Sequence, residues 1–353
     1  MTRPSLSLPF ACPIPIEEYP SVLLAHGGGG RLTRNLVDKV FATAFANAAL
    51  APLHDGAVLN VPAGRLAFTT DSFVVKPIIF PGGDIGSLAV FGTVNDLAMC
   101  GAQPLALSAG YILEEGLEMQ TLWRVVSFMR AAADRAGVSI VTGDTKVVDR
   151  GKGDGVFINT AGIGLVPAGV EITPTRAAPG DAILVSGDIA RHGIAILSVR
   201  DGLTFETELT SDAAPLHELT AALLEVDAGK IHVLRDPTRG GVASALCEIA
   251  GAAAVGMELQ ESAIPIRDAV LGACEMLGLD PLYVANEGKL IAIVERSVAE
   301  RALAALRGHP LGAEAAIIGE VVADHPGKVV MKSRIGGTRV VAMMSGEQLP
   351  RIC

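Results

Sequence analysis

Aromatic residues make up only 4% of this 353-residue chain, too few for a platform on which single-stranded bases stack. Positive charge is also scarce: 28 Lys and Arg stand against 38 Asp and Glu, a formal net charge of −10. That balance argues against duplex nucleic acid as a partner, but not against a phosphate ligand bridged to carboxylates by metal ions. The five cysteines (Cys12, Cys100, Cys247, Cys274 and Cys353) contain no Cys-x-x-Cys pair, which leaves a structural zinc site little support. No Walker loop is present, and no Gly-x-Gly-x-x-Gly follows a strand-like segment. Long apolar runs are missing too. The nearest, Gly240 to Met257, is interrupted by Glu248 and is mostly Ala and Gly, better suited to a packed helix than to a bilayer. The N-terminus lacks the basic-then-apolar order of a signal peptide. These absences lead to the expectation of a soluble, cytoplasmic protein with no nucleic-acid or membrane partner.

Half the residues are hydrophobic, so the chain has the means to bury a core, and its length fits two domains better than one. Residues 1–21 hold Pro4, Pro9, Pro13, Pro15 and Pro20 and read as an extended arm. Residues 22–166 read as a first domain. It has a helical pattern from Leu32 to Ala48, strands over Arg65–Thr70, Leu105–Leu113, Val138–Val141 and Val156–Val166, and helices over Ile85–Cys100 and Leu117–Ala136. Asp84 is a plausible cap and Gly101 a plausible stop for the first of these two helices. The Pro- and Gly-containing stretch Pro167–Gly180 marks the boundary. A second domain, residues 167–327, reads as strands over Ala182–Ser186, Leu282–Ala285, Lys289–Val294 and Ala316–Val322. Its helices fall over Ala190–Val199, Leu216–Val226, Gly240–Ala254, Arg267–Leu277 and Val298–Leu306. Residues 328–353 read as a hairpin around Gly336-Gly337 followed by an irregular tail ending in Cys353. The mixture of strands, hairpins and helices favours α+β domains over a doubly wound parallel sheet.

The chemistry in such a chain would rest on acidic residues at element ends. Asp71 follows the strand-like Thr69-Thr70, Asp144 follows Gly143 after Val141, and Asp236 precedes Pro237 at a glycine-rich helix start. Alone, Asp71 or Asp144 is more often a turn or cap residue. Asp96 is a stronger signal, because a carboxylate among Phe91, Val94, Leu97 and Met99 is costly unless paired or metal-bound. Carboxylates converging from several elements could hold Mg²⁺ against a nucleotide, the ion keeping water and phosphate oxygens in its shell. His26-Gly27-Gly28-Gly29-Gly30 offers backbone N–H groups to an anion, or is a flexible linker. Gly82-Gly83-Asp84-Ile85-Gly86 allows the same two readings, Asp84 favouring a cap. Lys146 could reach a phosphate oxygen or be an ordinary exposed lysine. Glu287, at a turn between two strands, could be a general base or a solvated turn residue. His192 and His217 read as structural or surface residues, and Cys100, Cys247 and Cys274 as small buried hydrophobes. Cys353 stands apart: a thiol on the last residue of a Pro-containing tail could carry a group from one site to another.

Eight segments in order resemble the HypE family of hydrogenase maturation proteins. They are His26 to Gly30, Thr69 to Phe73, Pro81 to Gly86, Asn95 to Met99, Val141 to Val148, Asp236 to Gly241, Ala285 to Gly288 and the ending Leu349-Pro350-Arg351-Ile352-Cys353. That family is similar in fold to aminoimidazole ribonucleotide synthetase (PurM). The resemblance implies a two-domain PurM-like ATP-binding fold, an N-terminal domain that forms a dimeric β-barrel, and a flexible C-terminal tail. It implies ATP and Mg²⁺, with Asp71, Asp96, Asp144 and Asp236 as the metal and phosphate shell. Gly27, Gly28, Gly29, Gly30, Asp84, Gly143 and Thr145 would lie against the nucleotide. It implies that a HypF-type carbamoyltransferase loads Cys353 and that ATP-dependent dehydration turns the thiocarboxamide into a thiocyanate. The cyano group then passes to a HypC–HypD complex as an iron ligand of [NiFe]-hydrogenase. Within that chemistry Glu287 is the expected base and Lys146 the group that orients or polarises. The alternatives are another PurM-like kinase or synthetase acting on a small molecule, and a non-catalytic partner that only presents its tail.

Overall fold

The computed structural model describes residues 19–28, 30–53, 56–200, 202, 209–343 and 352. The proline-rich arm before residue 19, Gly29, and the tail apart from Ile352 lie outside the described residues, and so does Cys353.

In the first domain a 3₁₀ turn, Leu24–Gly27, leads to α1 (Arg31–Leu36), which runs through a π turn (Val37–Phe41) into α2 (Ala42–Ala44). Four strands build the sheet: β1 (Arg65–Phe73), β4 (Gln103–Glu114), β5 (Ser139–Val148) and β6 (Val156–Val166), in the order β1-β6-β4-β5. β1, β6 and β4 are antiparallel, whereas β5 joins β4 in parallel. The short β2 (Ile79–Phe80) and β3 (Gly83–Asp84) form a separate ribbon. It leads into α3 (Ile85–Met99), which packs with α4 (Met119–Arg135). α3 is apolar nearly all round, as a helix buried on every side must be.

Two strands run further than the residue pattern suggests, and this moves the candidate acids. β1 continues past Thr70 to Phe73 and β5 past Val141 to Val148, so Asp71 and Asp144 sit within strands and not after them. β5 pairs with β4 as far as Glu114↔Val148, with a register shift between Leu107 and Ser108. Gly143 permits this, since a Cβ there would lie 2.3 Å from the Ala109 carbonyl oxygen. The helix expected to reach Ala48 stops at Ala44.

The second domain contains β7 (Ala182–Val185), α5 (Arg191–Arg200), α6 (His217–Asp227), β8 (Ile231–Arg235), α7 (Gly241–Ala253), β9 (Gly256–Gln260) and α8 (Asp268–Leu277). β10 (Ile291–Val294), α9 (Ala299–Arg307), β11 (Ala316–Val322), β12 (Val329–Lys332) and β13 (Thr338–Val341) complete it. Its seven strands lie in the order β13-β12-β9-β11-β7-β10-β8. The expected hairpin is β12–β13, and β12 pairs with β9 in parallel, making the hairpin the edge of this sheet. Leu282–Ala285, expected as a strand, holds a 3₁₀ turn over Pro281–Tyr283 instead. β8 and β9 fall in segments where no strand was expected. Cys274 is buried, but Cys247 is only half-buried and Cys100 is exposed, contrary to the reading of all three as core residues.

Ala98 and Met99 at the end of α3 pack into one apolar cluster with Leu216, Leu219 and Leu223. This contact ties the two domains together and sets the cleft between them. Among the described residues the first sheet is open, with no closed barrel. Its face away from α3 exposes Leu66 (51%), Phe68 (71%) and Ile112 (45%).

Candidate active site

The cleft collects carboxylates from both domains. Asp71 faces α3: it lies opposite Thr160, whose hydroxyl meets that of Thr93 on α3 at 2.5 Å. Asp96 projects from α3, and its Oδ2 accepts the Thr69 hydroxyl at 2.8 Å. Asp71 Oδ1 accepts the Ser72 N–H at 2.8 Å and meets the Arg239 guanidinium at 3.3 Å. Asp236 follows β8. Burial pushes its carboxyl up to about 7, with Asp96 the next cause. Burial also raises Asp71 and Asp96, against the Ser72 N–H in one case and the Thr69 hydroxyl in the other.

Glu287 is not the exposed strand-to-strand turn residue that its neighbours suggest. It is 3% exposed, in a loop pinned from three sides. Asn286 donates through Nδ2 to the Pro237 carbonyl at 3.0 Å and accepts the Ala190 N–H at 2.7 Å. The Glu287 N–H donates to Asp212 Oδ1 at 3.1 Å. The Glu287 carbonyl accepts Asn95 Nδ2 at 3.1 Å. Its carboxyl Oε1 has no hydrogen-bond partner among the described residues. Burial first, and then Asp236, Asp212 and Asp71, hold this group well above the usual carboxylate range.

Such crowding of acids around a buried, unpaired carboxyl oxygen fits a cleft that receives positive charge. No three His, Cys, Asp or Glu side chains among the described residues converge enough to cage a metal by themselves. The donor set suits a hard cation that completes its shell with water and phosphate oxygens.

The fourth expected metal residue is elsewhere. Asp144 is in the register row Asp144–Gly110–Asn159–Ser72, one step from the row of Asp71. The pleat therefore turns Asp144, and with it Lys146, to the open face. Both are exposed there, at a recess of about 510 Å³ shared with Ser72, Ile112 and Asn159. The acids thus form one group of three, Asp71, Asp96 and Asp236, with Asp144 apart.

The glycine-rich segment lies against the strand that carries Asp144. A Cβ on Gly27 would come within 2.5 Å of the Val147 nitrogen, so the 3₁₀ turn runs against β5. Gly28 and Gly30 are open to their surroundings, and Gly29 lies outside the described residues. Thr145 is half-buried and its N–H donates to Asp144 Oδ1 at 2.8 Å. Asp84 is 2% exposed, and its oxygens are spent as the α3 cap on the N–H groups of Gly86 (2.6 Å) and Ser87 (3.2 Å) and on the Ser87 hydroxyl.

Four residues with a part in this geometry carried no assigned role in the sequence reading: Asn95, Asp212, Arg239 and His192. For Asn95 the signal was available, since an amide on an apolar helix raises the same burial argument as Asp96. His192, expected to be structural or at the surface, is fully buried and meets the chain's end: its Nε2 lies 2.6 Å from the carbonyl oxygen of Ile352.

Two matches to known families cover most of the chain. Residues 53–166 match the N-terminal domain of AIR synthase related proteins, and residues 178–332 match the C-terminal domain of the same group. With two mixed α/β domains meeting over an acidic cleft, the molecule is of the AIR synthase-related, PurM-like class. Nearer relatives narrow this. The chain is 56% identical to the carbamoyl dehydratase HypE of Azotobacter vinelandii over 333 residues, 94% of this chain and 97% of that protein. A crystal structure of the hydrogenase maturation protein HypE in complex with ATP matches with a TM-score of 0.90 at 53% identity, over 94% of this chain and 99% of that one. A chain of a HypE–HypF complex matches with a TM-score of 0.77 at 47% identity, over 88% and 99%. The chain belongs to the HypE family of carbamoyl dehydratases. Among the described residues no helix is long and apolar enough to cross a membrane.

Proposed function

We propose that this protein uses ATP to dehydrate a carbamoyl group carried on the thiol of Cys353, giving a thiocyanate that supplies the cyanide ligand for the iron of [NiFe]-hydrogenase. The observation that carries the reading is the docking of Ile352, one residue before that thiol. Ile352 is 5% exposed, bridges to Val75, and has its carbonyl against His192. His192 contacts Ser211, whose neighbour Asp212 holds the Glu287 backbone.

The reaction balances as R–S–C(=O)–NH₂ plus ATP giving R–S–C≡N, ADP and phosphate. Amide oxygen is a poor leaving group. Phosphorylating it and removing the nitrogen protons lets the C–O bond break with loss of phosphate. Asp71, Asp96 and Asp236 are the residues that would hold Mg²⁺, which when bound offsets charge on the phosphoryl group. Glu287 is the proposed base, with its unpartnered Oε1 free to accept the proton. Burial and the neighbouring acids raise its affinity for a proton, and positive charge entering the cleft would lower it. Gly27 to Gly30, Gly143, Thr145, Asp144 and Lys146 form the proposed phosphate-facing group along β5.

The apolar open face of the first sheet supports a homodimer in which two such sheets close into a barrel, leaving Asp144 and Lys146 at the interface. A HypF-type carbamoyltransferase would load the tail, and a HypC–HypD complex would receive the cyano group. Dependence on ATP supports a cytoplasmic setting.

The test is intact-mass analysis of protein loaded by its carbamoyltransferase, before and after ATP. A loss of about 18 Da, one water, from the C-terminal peptide is expected. A small-molecule kinase or synthetase would leave Cys353 unmodified, and a tail-presenting partner would neither hydrolyse ATP nor change mass after loading.

A further inference from the structure

Ile352 meets the core through three contacts that together fix its backbone. Its side chain is buried in the first-domain cluster, its main chain forms an antiparallel bridge with Val75, and its carbonyl oxygen lies 2.6 Å from His192 Nε2. A carbonyl only accepts, so the imidazole proton is on Nε2. Nδ1 is then bare and accepts the Ser211 hydroxyl at 2.8 Å. Ser211 Oγ in turn accepts the Ala213 N–H at 3.1 Å, and the Phe80 ring stands edge-on to the imidazole at 5.7 Å. Burial holds His192 below its ordinary basicity and so in the neutral form this arrangement needs. Ser211 and Phe80 hold the ring in one orientation, and the Ile352 carbonyl selects its tautomer. Its single donor is aimed at main chain, one peptide before the last residue.

We infer that His192 is a positioning residue which sets the register of the C-terminal tail: it grips the Ile352 carbonyl, while the socket around the Ile352 side chain stops the chain from sliding. This rests on the reading of the Cys353 thiol as the group acted on. A donor that reads backbone is indifferent to the rest of the tail sequence but sensitive to spacing. The number of residues beyond the latch then decides where the thiol arrives. One added residue after Ile352 displaces it by roughly 3.3–3.6 Å, more than a reacting geometry tolerates. One added residue upstream, after Gly346, leaves the latch-to-thiol spacing unchanged.

The experiment uses full-length protein in four forms: wild type, His192→Ala, an alanine inserted between Ile352 and Cys353, and an alanine inserted after Gly346. Each is loaded by the carbamoyltransferase and given ATP in a single turnover. The expected result for His192→Ala and for the insertion at 352/353 is a dehydration rate lower by about tenfold or more, with an unchanged KM for ATP and undiminished loading. The upstream insertion keeps the wild-type rate. In a second readout without ATP or partner, iodoacetamide labelling of Cys353, followed on the isolated C-terminal peptide, is faster in His192→Ala than in wild type. Equal rates for the two insertions would overturn the inference, as would wild-type turnover and labelling in His192→Ala. The insertions leave the core sequence intact, which covers the case of a misfolded His192→Ala. If wild type itself shows no dehydration, the functional reading fails, while the labelling comparison still decides whether His192 holds the tail.

Discussion

Asn95 of the first domain holds the Glu287 loop of the second: its Nδ2 donates at 3.1 Å to the Glu287 carbonyl and at 3.1 Å to the Ala214 carbonyl, while its Oδ1 accepts the Leu216 N–H at 2.8 Å. Every partner is buried, so each would be left unsatisfied by a smaller side chain. Asn95→Ala should lower stability by on the order of 3 kcal/mol in urea unfolding and reduce dehydration by a larger factor than ATP binding. Asn95→Asp should be no better, because it turns a donor facing two carbonyls into a carboxylate oxygen. Wild-type unfolding and turnover in Asn95→Ala would remove the claim that this amide sets the position of the Glu287 loop.

Glu287 makes opposite demands on stability and activity. Its folded-state pKa lies well above the ordinary value of 4.5. The protonated form therefore favours folding below that ordinary value, and the benefit fades as pH climbs through the raised one. Glu287→Gln keeps the shape and cannot ionise. It should match wild type in thermal melts near pH 4 and melt higher near pH 8. The same variant should lose dehydration by roughly 10²-fold or more. An unchanged rate for the carbamoylated tail would rule out Glu287 as the base, whatever the melts show.

Asp236 gives a pH signature of metal binding. With its folded pKa at about 7, the metal-free protein loses stability as pH rises from the ordinary carboxylate range to neutrality, because the folded state alone keeps that proton. A cation must displace the proton, so Mg²⁺ affinity should rise between pH 6 and 8 and binding should release up to about one proton. Titration calorimetry at pH 7 in two buffers of different ionisation heat measures this directly. Asp236→Asn should weaken binding and reduce the buffer dependence. Identical heats for wild type in both buffers would show that no proton is displaced and that Asp236 is outside the metal shell.

What could be read in the sequence divides along physical lines. α3 was visible to within a residue, because Asp84 and Gly101 act through local caps. The acids were visible as chemistry, but their grouping was not. Whether Asp144 joins Asp71 depends on which face of the sheet each occupies. That follows from where β5 ends and how it registers with β4, and both are tertiary facts. β9 was hidden behind the apolar run of α7, where the helix breaks at Ala254 in a left-handed conformation that no glycine announces. Glu287 looked like a solvated turn because Asn286-Glu287-Gly288 is polar. Its burial comes from contacts with Pro237, Asp212 and Asn95, each distant in sequence. The contact between His192 and Ile352 spans 160 positions and has no local signal at all.

The glycines along β5 separate two roles that a sequence merges, close packing and approach to a ligand. At Gly143 the reason is internal: a Cβ would sit 2.3 Å from the Ala109 carbonyl oxygen. Gly143→Ala should therefore force β5 away from β4 and cost stability by about 2 kcal/mol or more, with ATP affinity falling as a consequence. Gly28 is different. Its φ of −89° and ψ of 3° suit any residue, and the nearest atom to an added Cβ is the Ala25 oxygen at 3.9 Å. Gly28→Ala should leave stability within about 0.5 kcal/mol of wild type, or raise it slightly by restricting the unfolded chain. Any rise in the KM for ATP in that variant then has no folding explanation and must come from a methyl group standing where a phosphate approaches the backbone. If Gly28→Ala binds ATP as tightly as wild type, this glycine is spacing chain and not lining a nucleotide. The phosphate-facing group along β5 then shrinks to the Gly143–Lys146 segment.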